Sequence, residues 1–202
     1  MRLILARHGE SEWNRDGRIL GRADIELSEA GHRQAQMLAQ ALRRERIQTV
    51  YTSPLRRAVD TARIISDHQG CSVIPDPDLQ ELGRGNLEGM TRQEALTTYP
   101  DLRRTWPEVS DVAGLYGQES LEQLNRRVGE CLSRIRAGHS RDTVGLVGHY
   151  FVNLVILLNV LEMELRCFRS FGQALAAVSI LEMEKDRSKI SVWNDTCHLR
   201  RG

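Results

Sequence analysis

Short apolar runs alternate along the chain with segments in which apolar residues recur at the helical period. This is the pattern of an α/β fold built on a largely parallel sheet. The strand-length runs are Leu3–Ala6, Thr49–Thr52, Ser72–Ile74, Thr143–Val147, Ala176–Met183 and Ile190–Trp193, the last two separated by a charged turn at Lys185–Ser188. Ser28 opens the first predicted helix, whose buried stripe is Ala35, Leu38, Ala39 and Leu42. Ser53 and Pro54 read as N-cap and first helical residue of the next, with Leu55, Ala58, Val59, Ala62 and Ile65 on its inner face and Gly70 at its end. Capping boxes predict a short helix after Thr91 (with Glu94) and a long one from Ser120 (with Gln123) to about Ala137. An apolar helix starts near Tyr150. The stretches Asn14–Glu26 and Leu79–Gly89 have no period and read as loops, and residues 90–118, with Pro100, Trp106, Pro107 and Tyr116, read as a small cap insertion. The expectation is one domain over residues 1–202, a three-layer α/β/α sandwich with a mostly parallel sheet.

Composition narrows the function classes. A chain of 202 residues, 41% of them hydrophobic, can build a full core without metal or disulfide staples, so disorder is excluded as the main state. Lys and Arg (28) balance Asp and Glu (27), and a net charge of +1 gives no global attraction to nucleic acid or an anionic membrane. Any preference for anions must be local. Cys71, Cys131, Cys167 and Cys197 form no C-x-x-C pair, which fits a reducing cytoplasm. The Leu3–Ala6 run is far shorter than a secretory apolar segment of about 7–15 residues. Phe151–Leu161, interrupted by Asn153 and Asn159, falls short of the roughly 18 residues of a membrane span. A cytoplasmic protein with a small-molecule partner follows, and a homodimer stays open.

In open α/β sheets ligands bind beyond the carboxyl ends of the strands. There the first strand runs into Arg7-His8-Gly9-Glu10, the second leads through Ser53 to Arg56-Arg57, and the fourth ends in Gly148-His149. Two imidazoles among guanidinium groups make a poor metal site, because arginine repels the cation and no further ligand stands at a suitable spacing. They suit phosphate: arginine offers forked donors to its oxygens, and a neutral imidazole can attack phosphorus. Glu81 is the candidate acid for a leaving alkoxide, with Glu88 in the same loop as a rival that we expect to brace the loop. His32, His68 and His139 read as surface or helix-end residues.

These residues lie in ordered motifs: L-A-R-H-G-E-S-E-W-N (5–14), G-R-x-x-G-x-x-D (17–24), L-S-E-A-G (27–31), S-P-L-R-R-A-x-x-T-A (53–62), E-L-G-R-G-N-L-E-G (81–89), G-Q-E-S before a helix, and N-D-T-C-H-L near the end. Together they span the chain, which resembles the histidine phosphatase superfamily, the group of cofactor-dependent phosphoglycerate mutases and many small phosphatases. The resemblance implies that His8 is the nucleophile that becomes phosphohistidine, that Arg7, Arg57 and His149 complete the phosphate pocket, that Glu81 is the proton donor, and that Asn14 faces the phosphate. It puts Arg56 on the surface and His198 in a packing or hydrogen-bonding role, and it implies no metal and no cofactor.

Two positions depart from the family pattern. Tyr150 and Phe151 stand where small residues are usual, so Tyr150 is a candidate for shaping the substrate pocket, and Leu20 replaces a common glutamine. The short 89–120 segment and the Glu81 loop resemble the phosphatase branch, and the Cys167–His198 stretch is similar to metal-independent phosphoserine phosphatases. The implied activity is hydrolysis of a small phosphate ester, phosphoserine or phosphoglycerate-like. A cofactor-dependent phosphoglycerate mutase is the alternative within the family, and a phosphate-binding protein without turnover is the alternative outside it. Arg103, Arg104, Trp106 and Tyr116 are candidates to meet the substrate's remainder.

Overall fold

A computed structural model describes residues 1–105, 115–184 and 187–201; Trp106, Pro107 and Lys185 of the readings above lie outside the described residues, as does the side chain of Arg104. In chain order the elements are β1 (Arg2–Arg7), α1 (Glu12–Arg15), α2 (Glu29–Leu42), β2 (Thr49–Thr52), α3 (Arg56–Gln69), β3 (Ser72–Pro75), α4 (Arg92–Thr98), α5 (Leu102–Thr105), α6 (Leu121–Gly138), β4 (Thr143–Gly148), α7 (Tyr150–Val160), β5 (Val178–Met183) and β6 (Ser188–Asp195). They form one six-stranded sheet in the order β3-β2-β4-β1-β5-β6. Strands β1 to β4 are parallel, and β5 and β6 add an antiparallel edge.

Both faces of β1 are covered, which explains why its sequence is continuously apolar. Leu3 and Leu5 pack with α6 and α7 on one face, while Ile4 and Ala6 pack with α2 and α3 on the other. The three-layer sandwich is therefore visible in the alternation of a single strand. A smaller cluster, Leu87, Ala95 and Leu102, joins α4 and α5 to the loop ahead of them. Among the described residues, no helix is long and apolar enough to cross a membrane.

Two local expectations are corrected. Helix α3 starts at Arg56, not at Pro54, because Ser53 still donates its N–H to Val147 of β4 (3.3 Å) and the chain stays extended there. The Ser53 hydroxyl accepts from the Leu55 N–H (3.3 Å), shaping the turn ahead of the helix. The start of the 14–26 loop is the helix α1, closed by a reciprocal cap between Ser11 and Asn14. Asparagine in the place usually held by Glu or Gln hid that capping box.

Helix α2 begins tight against the segment following β1. The Ser28 hydroxyl accepts from the Gly31 N–H (3.0 Å) and donates to the Glu10 carboxylate (2.7 Å). A Cβ on Gly31 would collide with the Glu10 carbonyl oxygen, two residues beyond His8. Gly31→Ala should destabilise the protein by about 1–3 kcal/mol, the usual range for overpacking, and lower activity by pushing on the backbone beside His8. The control is Gly138→Ala at the end of α6, where no heavy atom lies within 4 Å of the added methyl. Urea midpoints for the two variants check this: the first should fall and the second should stay level or rise.

Candidate active site

The parallel register pairs Arg7 of β1 with Gly148 of β4, so His8 and His149 leave the sheet side by side. The His8 N–H donates to the Gly148 carbonyl (3.1 Å), and the two imidazole centroids are 5.0 Å apart at 61°. On the far side of β4, β2 leads into α3, whose first turn carries Arg57. The loop that follows β3 brings Glu81. Together Arg7, His8, Asn14, Arg57, Glu81 and Tyr150 line one pocket of about 240 Å³, with Arg18, Leu20 and Phe151 completing its wall. Every residue singled out from the sequence for the phosphate site is in or beside this pocket.

The His8 Nδ1 is 2.6 Å from the Gly9 carbonyl, so this nitrogen carries the proton and Nε2 keeps its lone pair. Burial, then the charges of Arg57 and Arg7, hold the His8 pKa well below 6.5, and the ring is neutral. Burial and the same cations act on His149. Arg57 is fully buried, which lowers its pKa to about 10 and leaves it protonated. Its Nη atoms donate to the carbonyls of Ala23 (2.8 Å) and Gly21 (2.7 Å). Arg7 donates to the Gln173 carbonyl (2.6 Å), and its guanidinium carbon is 5.2 Å from the Tyr150 ring centre.

What this cluster lacks is negative charge. The Nε of Arg7, the Nε of Arg57 and both ring nitrogens of His149 are buried with no hydrogen-bond partner. Buried polar groups are ordinarily paired, so several unpaired nitrogens around one cavity point to an oxyanion as the missing partner. Burial shifts Glu81 toward its neutral form as well. It is 5% exposed, and burial raises its pKa against hydrogen bonds from the Leu82 (2.8 Å) and Phe151 (3.3 Å) N–H groups and the pull of Arg7 and Arg57. The pocket thus holds a neutral imidazole with a free lone pair, fixed cations and a buried carboxyl group whose pKa is raised.

Glu88, the rival acid, accepts backbone N–H groups from Arg22 (2.8 Å), Ala23 (2.7 Å) and Arg84 (3.1 Å). It holds the 21–23 turn whose carbonyls grip Arg57, and bracing is what its contacts show. The Asn14 Oδ1 accepts from the Ser11 backbone (3.1 Å) and hydroxyl (2.8 Å), which leaves its NH₂ as the group to offer a ligand. Arg56 is at the surface and pairs with Glu26 (2.7 Å). His198 is 3.1 Å from the Ala176 carbonyl, and His139 lies between Tyr51 and Asp142. Arg103 is exposed, and Tyr116 stacks on Tyr99 (4.3 Å) away from the pocket wall.

Two arginines escaped the sequence reading. Arg18 stands at the mouth of the pocket, donating to the Gly89 carbonyl (2.7 Å); its place in the 17–24 motif was the available signal. Arg84 is buried with its Nε unpartnered and its guanidinium carbon 5.5 Å from the Phe151 ring centre. Among the described residues, no group of three or more His, Cys, Asp or Glu side chains could hold a metal ion. A larger groove of about 900 Å³ between α2 and β6 contains none of the phosphate-site groups.

The comparisons agree along the whole chain. Phosphoserine phosphatase 1 of Hydrogenobacter thermophilus is 38% identical over 199 residues, covering 98% of this chain and 94% of that protein. A metal-independent phosphoserine phosphatase of Arabidopsis thaliana is 34% identical over 98% of this chain and 82% of its own length. The structure of Bacillus stearothermophilus YhfR superposes with a TM-score of 0.91 at 26% identity, covering 98% of both chains. The model of the Histidine phosphatase superfamily (branch 1) matches residues 3–196, and the chain belongs to that family.

Proposed function

We propose that this enzyme hydrolyses small phosphate monoesters bearing a carboxylate, phosphoserine or phosphoglycerate-like, through a phosphohistidine formed on His8. In the first half-reaction the His8 Nε2 attacks phosphorus and the bond to the ester oxygen breaks, while Glu81 gives that oxygen its proton. In the second, water attacks the phosphohistidine, the bond from phosphorus to His8 Nε2 breaks, and phosphate leaves with the water's oxygen and protons, Glu81 being reprotonated from solvent. Arg7, Arg57, His149 and the Asn14 amide hold the equatorial oxygens throughout, supplying the positive charge that a metal ion gives other phosphoryl-transfer sites. Tyr150 borders the substrate.

The observation that carries this reading is the state of His8: neutral, fixed through Nδ1, and open at Nε2 beside unpaired phosphate donors. A protein that only bound phosphate would need no separate buried acid. Arg18 at the pocket mouth suits a second anionic group, and the relatives named as phosphoserine phosphatases support the same substrate class. The segment at about 90–118 serves as the cap in this reading, its start tied to the pocket wall by the Ile19 N–H to Met90 carbonyl bond (2.8 Å). The four cysteines are thiols, which fits work in the cytoplasm.

Rapid quench of labelled substrate, run with a chelator present, tests the mechanism. Acid-labile phosphate should appear on the parent enzyme and be absent from His8→Ala, whose turnover should fall by several orders of magnitude. Inactivation by the chelator that Mg²⁺ reverses would overturn the reading.

The role of Glu81 predicts a difference between leaving groups. Glu81→Gln should cost about 10²–10⁴-fold on an alkyl phosphate and distinctly less on an activated aryl phosphate, whose phenolate leaves without a proton. Because the acid must be protonated, kcat on the alkyl ester should fall as pH rises through the raised Glu81 pKa, and the aryl ester should lack that limb. Glu88→Gln should have a small effect, equal for both esters. Equal losses for Glu81→Gln on the two ester types would make it a positioning residue.

A further inference from the structure

Asn153 lies one helical turn after His149, fully buried, and its amide touches the ends of the two strands that lead into Arg7-His8 and His149. Its Nδ2 donates to the Ala6 carbonyl (3.0 Å), directly ahead of Arg7-His8, and to the Gln173 Oε1 (2.9 Å). The Gln173 main-chain carbonyl is in turn the acceptor for Arg7 Nη1 (2.6 Å). On its other side the Asn153 Oδ1 fills the space that a Cβ on Gly148 would take, next to His149.

We infer that Asn153, acting with Gln173, is a positioning residue for phosphate transfer, setting the Arg7 guanidinium and the relative placement of His8 and His149. This inference rests on the phosphatase reading of the pocket. Two features separate it from ordinary core packing. The pair is built expensively: Asn153 Oδ1 and Gln173 Nε2 are both buried without partners, a penalty that two apolar side chains of the same shape would not carry. The geometry is also specific, because one donor group spans the end of β1 and the loop that anchors Arg7, while Gln173 itself is 4% exposed and does not line the pocket. Stability alone favours an apolar pair at these two positions; the amide pair instead ties the end of β1 to the loop that anchors Arg7.

The test is a set of variants, Asn153→Leu, Gln173→Met and the double variant, each also combined with Arg7→Ala. Readouts are the Tm, kcat and KM on an aryl phosphate, and the affinity for inorganic phosphate by calorimetry. The double variant should keep or raise Tm while Asn153→Leu alone lowers it by leaving Gln173 Oε1 without its donor; both should lose about 10–10²-fold in kcat/KM, as expected for small misplacements of reacting groups, and bind inorganic phosphate more weakly. Gln173→Met should show the same pattern, and with Arg7→Ala each loss should be less than additive, since both act through that arginine. The inference is overturned if kcat/KM and phosphate affinity stay within about twofold of the parent in a folded variant, or if the losses add fully to that of Arg7→Ala. Should Asn153→Leu not fold, Gln173→Met carries the same comparison. If the parent turns over no phosphate ester, the phosphatase reading fails, and phosphate affinity still reports on Asn153.

Discussion

Concentrating buried positive charge around one small pocket, with no ion pair to Arg7 or Arg57 among the described residues, is the electrostatic demand that shapes this fold. Taking a guanidinium out of water costs several kcal/mol even after relaxation, and an opposite charge is the usual compensation. Here backbone carbonyls compensate in part: Gly21 and Ala23 for Arg57, Gln173 for Arg7. The loops that present those carbonyls are themselves anchored, the first by the Glu88 carboxylate on three N–H groups, the second by the buried amides of Gln173 and Asn153. The remaining compensation is left to the ligand. The unpartnered buried nitrogens of this pocket fit the phosphate oxyanion proposed as its ligand.

Two carboxylates in one loop illustrate how environment divides roles that residue type leaves equal. Glu81 and Glu88 are seven residues apart and chemically identical. Glu88 is saturated by backbone donors, so its charge serves structure. Glu81 has fewer donors and deeper burial, and desolvation outweighs the attraction of Arg7 and Arg57, so its pKa is raised above the usual carboxylate value. The neighbouring Arg7 and Arg57 oppose this shift, so the role proposed for Glu81 as the acid depends on its burial.

How much of this was legible in the sequence depended on whether the physics was local. The strand ends were legible: an apolar run stopping at Arg7-His8 or Gly148-His149 marks the rim where ligands bind, and the order of motifs identified which side chains meet there. The caps at Ser28, Thr91 and Ser120 were equally local. The β1–β4 register that puts the two imidazoles 5.0 Å apart was not legible, because it depends on a pairing between strands that are distant in the sequence. Arg84 was passed over because burial of a charged residue has no period. Ser53 misled because the sheet pairing beyond β2 outweighed a good helix-start signal.

Tyr150 and Phe151 show how a departure from the family pattern fits the same electrostatics. Replacing small residues at the first turn of α7 with two rings brings bulk beside the phosphate pocket, and the rings meet cations: Arg7 lies over Tyr150 and Arg84 over Phe151. The negative face of each ring attracts a buried guanidinium at modest desolvation cost. The Phe151 N–H reaches the Glu81 carboxyl group (3.3 Å). Apolar surface on this wall also adds to the burial that raises the Glu81 pKa. The two rings therefore line the pocket while packing on its cations, so the wall proposed to meet the substrate and the backbone donor to Glu81 come from the same turn of helix.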